Sequence, residues 1–256
     1  VNPHPPAGRP NPGLADPILD KVRKLLTKAE DPAATPHEAE VYTAKATQLI
    51  ADYGIDQALL ARSDPTADPV GDLVVTVGAP YAADKIDLLG AVAGRLRCAA
   101  VRTRRRGVDG DVHAVHLFGH ASDLRRVELL YTSLLLQATS QLARTPVPSW
   151  EHKAAFRRSW LAGFRMAVVR RLAETEDRAE QQAGDRFSAT GTSAALVLAD
   201  RTADAEAALR AAYPRVGSAR PRSLSGSGMP QGWGAGQRAD LAGARVGPQA
   251  RRSLGR

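Results

Sequence analysis

Residues 99–118 read AAVRTRRRGVDGDVHAVHLF, and the fold class follows from them. Val108-Asp109-Gly110-Asp111 is a turn signal, because Asp and Gly tolerate the backbone conformations a tight reversal needs. The flanking segments Ala99–Arg105 and Val112–Phe118 therefore read as the two strands of a β-hairpin. Upstream, Ala83–Leu96 carries Ile86, Leu89, Val92, Ala93 and Leu96 at helical spacing, and Leu73–Val77 before it is strand-like. Downstream, Ser122 is placed to cap a helix reaching about Arg144, with Leu124, Val127, Leu130, Tyr131, Leu134, Leu135 and Leu142 inward. The order β-α-β-β-α predicts a small sandwich, one sheet covered by two helices.

Outward from this unit, the N-terminal side predicts a helical hairpin. Asp16-Pro17 opens a helix whose face is Ile18, Val22, Leu25, Leu26 and Ala29, and Asp31-Pro32 breaks it. Thr35-Pro36-His37-Glu38 has the form of a capping box and opens a second helix, with Ala39, Tyr42, Ala46, Leu49, Ile50 and Tyr53 as its stripe. Gly54 reads as a left-handed stop, Ile55 as the hydrophobic residue beyond it, and Asp56 as the cap of a short third helix through Leu60. The short connection makes the first two helices antiparallel. Residues 1–15, rich in proline, read as a disordered leader, 16–62 as the hairpin domain and 63–72 as a linker.

Towards the C-terminus, Pro146-Val147-Pro148 closes the sandwich. A long helix from Trp150 to about Ala183 carries Phe156, Trp160, Phe164, Val168 and Leu172 every fourth residue, a packing face. Residues 194–213 read as strand or helix. The α+β domain thus runs over 73–213, extended by these helices. Residues 214–256, rich in Arg and Gly, hold too little apolar content to fold alone and read as a largely disordered tail. Gly232-Trp233-Gly234-Ala235-Gly236 follows no strand and lacks dinucleotide-binding spacing, so it reads as a flexible or capping segment.

Composition limits the function classes. Of 256 residues 43% are hydrophobic but 5% aromatic, so the core is built from Ala, Leu and Val. The single Cys98 excludes a disulfide framework or a cysteine-based zinc cluster and fits a reducing compartment. No apolar run is long enough for a membrane helix, and Val1–Gly13 lacks the core of a secretory signal, so a cytoplasmic setting is expected. Residues 1–72 carry a net charge of −4, 73–150 +4, 151–213 +1 and 214–256 +7. Basic character thus gathers in the middle and the tail, as a polyanionic partner would favour. Arg outnumbers Lys 29 to 6, a bias that GC-rich coding also produces.

Lys21-Val22-Arg23-Lys24-Leu25-Leu26, Ala29, Glu38-Ala39, Ala44-Lys45-Ala46, Leu49 and Tyr53-Gly54-Ile55 resemble the bacterial and phage domain-of-unknown-function family twenty-seven eighty-six. Phe118-Gly119, Ser122-Asp123, Leu130-Tyr131, Phe156–Trp160, Gly163-Phe164 and Gly232–Leu241 look like the domain that accompanies this hairpin in actinobacterial members. The resemblance implies a cytoplasmic protein of this two-part layout; it carries no activity, cofactor or site residues.

Among candidate sites, Arg102, Arg104, Arg105 and Arg106 are the most suggestive cluster. On a strand, Arg102, Arg104 and Arg106 share a face at roughly 6.6–7 Å, close to the phosphate spacing of one nucleic-acid strand. Arg125 and Arg126 begin the next helix and complete a candidate nucleic-acid-binding set. The competing reading is an edge strand guarded by charge. His113, His116 and His120 superficially suggest a metal, yet 113 and 116 point to opposite strand faces. No metal ligand set, cofactor or catalytic residue is expected. A metal-dependent hydrolase with a site near His120 and Asp123 is the alternative, and Glu151-His152-Lys153, with a nuclease-like spacing, lies at a helix start rather than on a core strand. Cys98 reads as a small buried hydrophobe. No Walker loop, nucleophile elbow or H-E-x-x-H is present. The expectation is a non-enzymatic, nucleic-acid-associated α+β protein, with the acidic hairpin as a protein-interaction module. A structural adaptor without nucleic acid is a further alternative.

Overall fold

In the computed structural model, which describes residues 17–29, 31, 33, 35–107, 110–187, 193–217 and 222–239, the hairpin forms where the sequence places it. Strands β2 (Ala99–Gly107) and β3 (Gly110–His120) pair antiparallel, and β1 (Val70–Val77) pairs antiparallel with the other edge of β3, giving the order β1-β3-β2. Opposed residues share a face. Leu73 with Leu117 and Val75 with Val115 point to one side, where α3 (Ala82–Arg95) and α4 (Ala121–Arg144) cover them. His116 and Phe118 point to the other, against α6 (Ala194–Ala212) and Tyr213. This is the β-α-β-β-α sandwich, with the helical answer for residues 194–212.

The hairpin of α1 (Pro17–Ala29) and α2 (Pro36–Ser63) also forms. Thr35 and Glu38 make the reciprocal capping box. Asp16, the expected cap of α1, lies outside the described residues. Gly54, however, is no stop: α2 runs on to Ser63 and absorbs the expected third helix. Continuation buries Ile55 and Ala58 with Ala51 against Ala179 and Ala183 of α5 (Lys153–Phe187) and Val197 and Leu198 of α6. Small side chains let these three helices approach closely, the solution an alanine-rich, aromatic-poor sequence favours.

Two further expectations are corrected. The stretch 63–72 is no detached linker. Asp68 is 1% exposed, and β1 already starts at Val70. Its carboxylate accepts from the Ser122 amide at 2.8 Å and the Ser122 hydroxyl at 2.5 Å. Asp68, not Ser122, therefore satisfies the open N-terminus of α4, where a negative charge also suits the helix dipole. Nor is the tail disordered over 222–239, which holds α7 (Met229–Arg238) docked on α5.

The glycines of GWGAG are the reason α7 can dock. A Cβ at Gly232 would lie 1.8 Å from the Trp160 carbonyl oxygen, so backbone rests on backbone. Beneath it Trp160 and Phe164 stack at 5.5 Å within the fully buried aromatic face that the fourfold spacing predicts. Arg171 closes the far end by donating to the carbonyls of Gly236 and Ala239. Because a backbone atom cannot yield, Gly232→Ala is expected to lift α7 off α5. The cost falls at the upper end of the roughly 1–3 kcal/mol of overpacking. Faster tryptic cleavage at Arg238, with a lowered urea midpoint, is the measurement that checks it.

Candidate nucleic-acid interface

Strand β2 is an edge strand, and its arginines follow its alternation. Arg102 and Arg104 lie opposite Val115 and His113, are both exposed, and share the α3 side of the sheet. Arg105 and Arg106 lie opposite Val112 and Asp111, and their side chains are outside the described residues. Arg102 donates to Asp87 of α3 at 2.6 Å. One helical turn earlier on α3 stands Asp84, and the two carboxylates are shared by Arg222, which donates to Asp84 at 2.7 Å and also to Asp87. Arg158 of α5 reaches Asp84 at 3.6 Å.

The vertical order in this cluster matters more than its charge count. The carboxylates lie beneath, with side chains 5% (Asp84) and 20% (Asp87) exposed. The side chains of Arg102 and Arg158 lie more open, at 40% and 44%, whereas that of Arg222 is 25% exposed, with Nη2 bonded to both carboxylates and Nη1 buried. Three cations against two anions leave one positive charge in excess, and Arg102 and Arg158 carry it to the surface from carboxylates less exposed than they are. Burial disfavours the charge of Arg222, but bonds to Asp87 and Asp84 outweigh it, so its ionisation is pushed above the usual value. No motif or spacing marks Arg158 or Arg222 as a member of this cluster. The pair Asp84 and Asp87, one helical turn apart near the start of α3, is the sequence signal for this cluster.

The remaining members of the sequence-derived set separate. Arg125 is half-buried and bonds back to the Ala121 carbonyl at 3.3 Å. Arg126 is fully buried and cannot face a phosphate, a correction to the expected set. It sits in a chain of alternating charges. Arg97 meets Glu176 at 2.8 Å, and Glu176 meets Arg126 at 2.5 Å. Arg126 meets Asp123 at 2.8 Å, Asp123 meets Arg201 at 2.7 Å, and Arg201 meets Asp68 at 2.7 Å. Its three cations and three anions balance, each at most 8% exposed. Burial works against the charge on Arg126, yet Glu176 and Asp123 more than compensate, pushing its ionisation above the usual arginine value. The chain stitches the ends of β1, α3 and α4 to α5 and α6. Gly54 brings α2 into it, since a Cβ there would lie 2.2 Å from the Arg126 guanidinium.

That burial removes the chemistry expected of Asp123. Both its oxygens are engaged, and it is closed to solvent. His120 does not meet it: one ring nitrogen bonds the Asp68 carbonyl at 2.8 Å, the other Asp204 at 3.3 Å. His120 borders a cavity of about 540 Å³ between α2, α6 and residues 65–70, together with Asp68 and Arg201. His116 lies between the Asp72 carboxylate (2.8 Å) and the Tyr213 hydroxyl (2.9 Å). A carboxylate only accepts, so Nε2 donates to Asp72, which leaves Nδ1 beside the Tyr213 hydroxyl. The trio pins the end of α6 to the sheet. His113 and His116 are on opposite faces, and among the described residues no group of three His, Cys, Asp or Glu is arranged to hold a metal. Glu151 is spent on Ser227, accepting from its amide at 2.7 Å and its hydroxyl at 2.5 Å. Cys98 is buried against Gly119, and burial, followed by the charge of Asp123, pushes its thiol far above the reactive range.

Residues 18–57 match the family model described as "Protein of unknown function (DUF2786)". The match spans α1 and α2 through Tyr53-Gly54-Ile55. No curated protein matches the chain, and no solved structure does.

Proposed function

We propose that this chain, whose residues 18–57 carry the DUF2786 hairpin of unknown function, is a non-enzymatic binding protein for nucleic acid. The observation that carries the proposal is that Arg102 and Arg158 stand open over Asp84 and Asp87, while Arg222 ties the two carboxylates together. A charge-guarding edge strand would need only scattered cations. Here α3, α5 and the segment before α7 all contribute to hold guanidinium groups beside the β2 edge, where Arg104 adds another. Guanidinium forks suit phosphate oxygens and release counterions on binding. The inner face of the DUF2786 hairpin is consumed within the chain. Its outer face, with Lys24 and Val41 exposed, is the part left to a protein partner.

Arg102→Gln with Arg158→Gln tests the surface while leaving its base in place, because Arg222 still bonds both Asp84 and Asp87. The double variant is expected to keep its unfolding midpoint. It should lower the slope of log affinity against log salt by about 1.4 for single strands or 1.8 for duplex. Unchanged binding and slope, measured by fluorescence anisotropy, would remove these residues from the interface.

A further inference from the structure

Trp150 is 86% exposed in a chain with three tryptophans, and the other two are used internally. Trp160 is fully buried on Phe164, and Trp233 lies under the Arg170 guanidinium at 5.0 Å. The backbone that carries Trp150 is fixed on both sides. The Glu151 amide donates to the Pro148 carbonyl at 3.1 Å, closing a turn with Ser149 and Trp150 at its tip. Glu151 in turn grips Ser227. A large indole is thus held out in water on an anchored turn, contributing nothing to the core.

Its position relates it to the arginine face. Ser227, gripped beside Trp150, is five residues along the chain from Arg222, a separation of at most about 18 Å. Arg158 follows Trp150 by eight residues, most of them in the first turns of α5, where each adds about 1.5 Å along the axis. A few nucleotides bridge such distances. We propose that Trp150 stacks on an unpaired base while the arginine face holds the adjoining phosphates, so that the ligand class is single-stranded nucleic acid. This rests on the reading of Arg102, Arg158 and Arg222 as a phosphate-binding surface. Duplex hides its base faces in its own stack, whereas a single strand offers them to an aromatic ring.

The test uses the full chain with a fluorescein-labelled oligothymidylate and a duplex of equal length, by anisotropy at low and moderate salt. The wild type is expected to bind the single strand more tightly than the duplex, with quenching of tryptophan emission. Trp150→Ala should weaken single-strand binding about tenfold and abolish the quenching, leave duplex binding within about twofold, and keep the unfolding midpoint. Trp150→Phe should restore most of the loss, as a stacking role requires. If the wild type binds both ligands and Trp150→Ala binds them unchanged, stacking is overturned while the arginine surface stands. If neither ligand binds at low salt, the arginine reading falls and takes this one with it, leaving Trp150 as an anchor for protein contact.

Discussion

Gly54→Ala lowers the unfolding free energy by about 2–4 kcal/mol. The added Cβ would stand 2.2 Å from one guanidinium nitrogen of Arg126 and 2.3 Å from its central carbon. An arginine tip normally swings aside, but this one is fully buried and tied to Asp123 and Glu176. Displacing it takes the central cation from between two buried carboxylates and leaves each with one arginine, and breaking a buried pair costs about 3–5 kcal/mol. Alanine's better helix propensity returns about 1 kcal/mol. Gly184→Ala is the matched control: it lies in α5 with nothing within 4 Å of a Cβ, so only the propensity gain remains. Urea unfolding of the two variants should therefore move in opposite directions. A shared direction would show that the Gly54–Arg126 contact does not limit stability.

Glu176→Gln destabilises by about 3–5 kcal/mol with hardly any change in side-chain volume. Glu176 accepts from Arg97 through one oxygen and Arg126 through the other, and among the described residues its carboxylate is the anion bonded to Arg97. An amide turns one of those oxygens into a donor facing a donor and leaves the chain with a surplus positive charge. Arg97 is held with φ of 62°, a left-handed backbone unusual for a non-glycine residue, so losing its partner also loosens the turn into β2. Because these groups lie out of reach of solvent ions, the loss should be nearly the same at low and at high salt. The exposed Arg210–Glu206 pair offers the contrast, since breaking it should cost less than about 1 kcal/mol and less still in salt.

These two positions also show where sequence reasoning stopped. A β-hairpin around Val108–Asp111, the capping box at Thr35 and the fourfold aromatic spacing of α5 each express one local rule, and local rules are legible. Gly54 obeys two rules at once. A glycine after an apolar stripe marks a helix end as well as it marks a close approach, and only the neighbouring Arg126 decides between them. Asp68 sits in DPTADPVGD, whose composition describes a linker, because nothing local announces that a carboxylate will be buried by Arg201 far along the chain. Arg125 and Arg126 look alike as a dipeptide. Helical periodicity tells them apart, placing Arg126 three residues after Asp123 and four before Leu130, on the inward stripe. That signal was present. The site is less legible still, since Arg158 and Arg222 join Arg102 only through Asp84 and Asp87, a meeting of four segments that no spacing encodes.

The molecule that emerges is knit inside by balanced charge and displays unbalanced charge outside. Three arginines are consumed in the interior chain and say nothing about partners; those held over Asp84 and Asp87 carry the functional proposal. The most direct test is the affinity of the wild-type chain for an oligonucleotide across a salt series. The account predicts measurable binding at low salt, with log affinity falling linearly against log salt at a slope of about −2 or steeper, as expected when three or more phosphates are neutralised. A flat response, or no binding at the lowest salt, would contradict it.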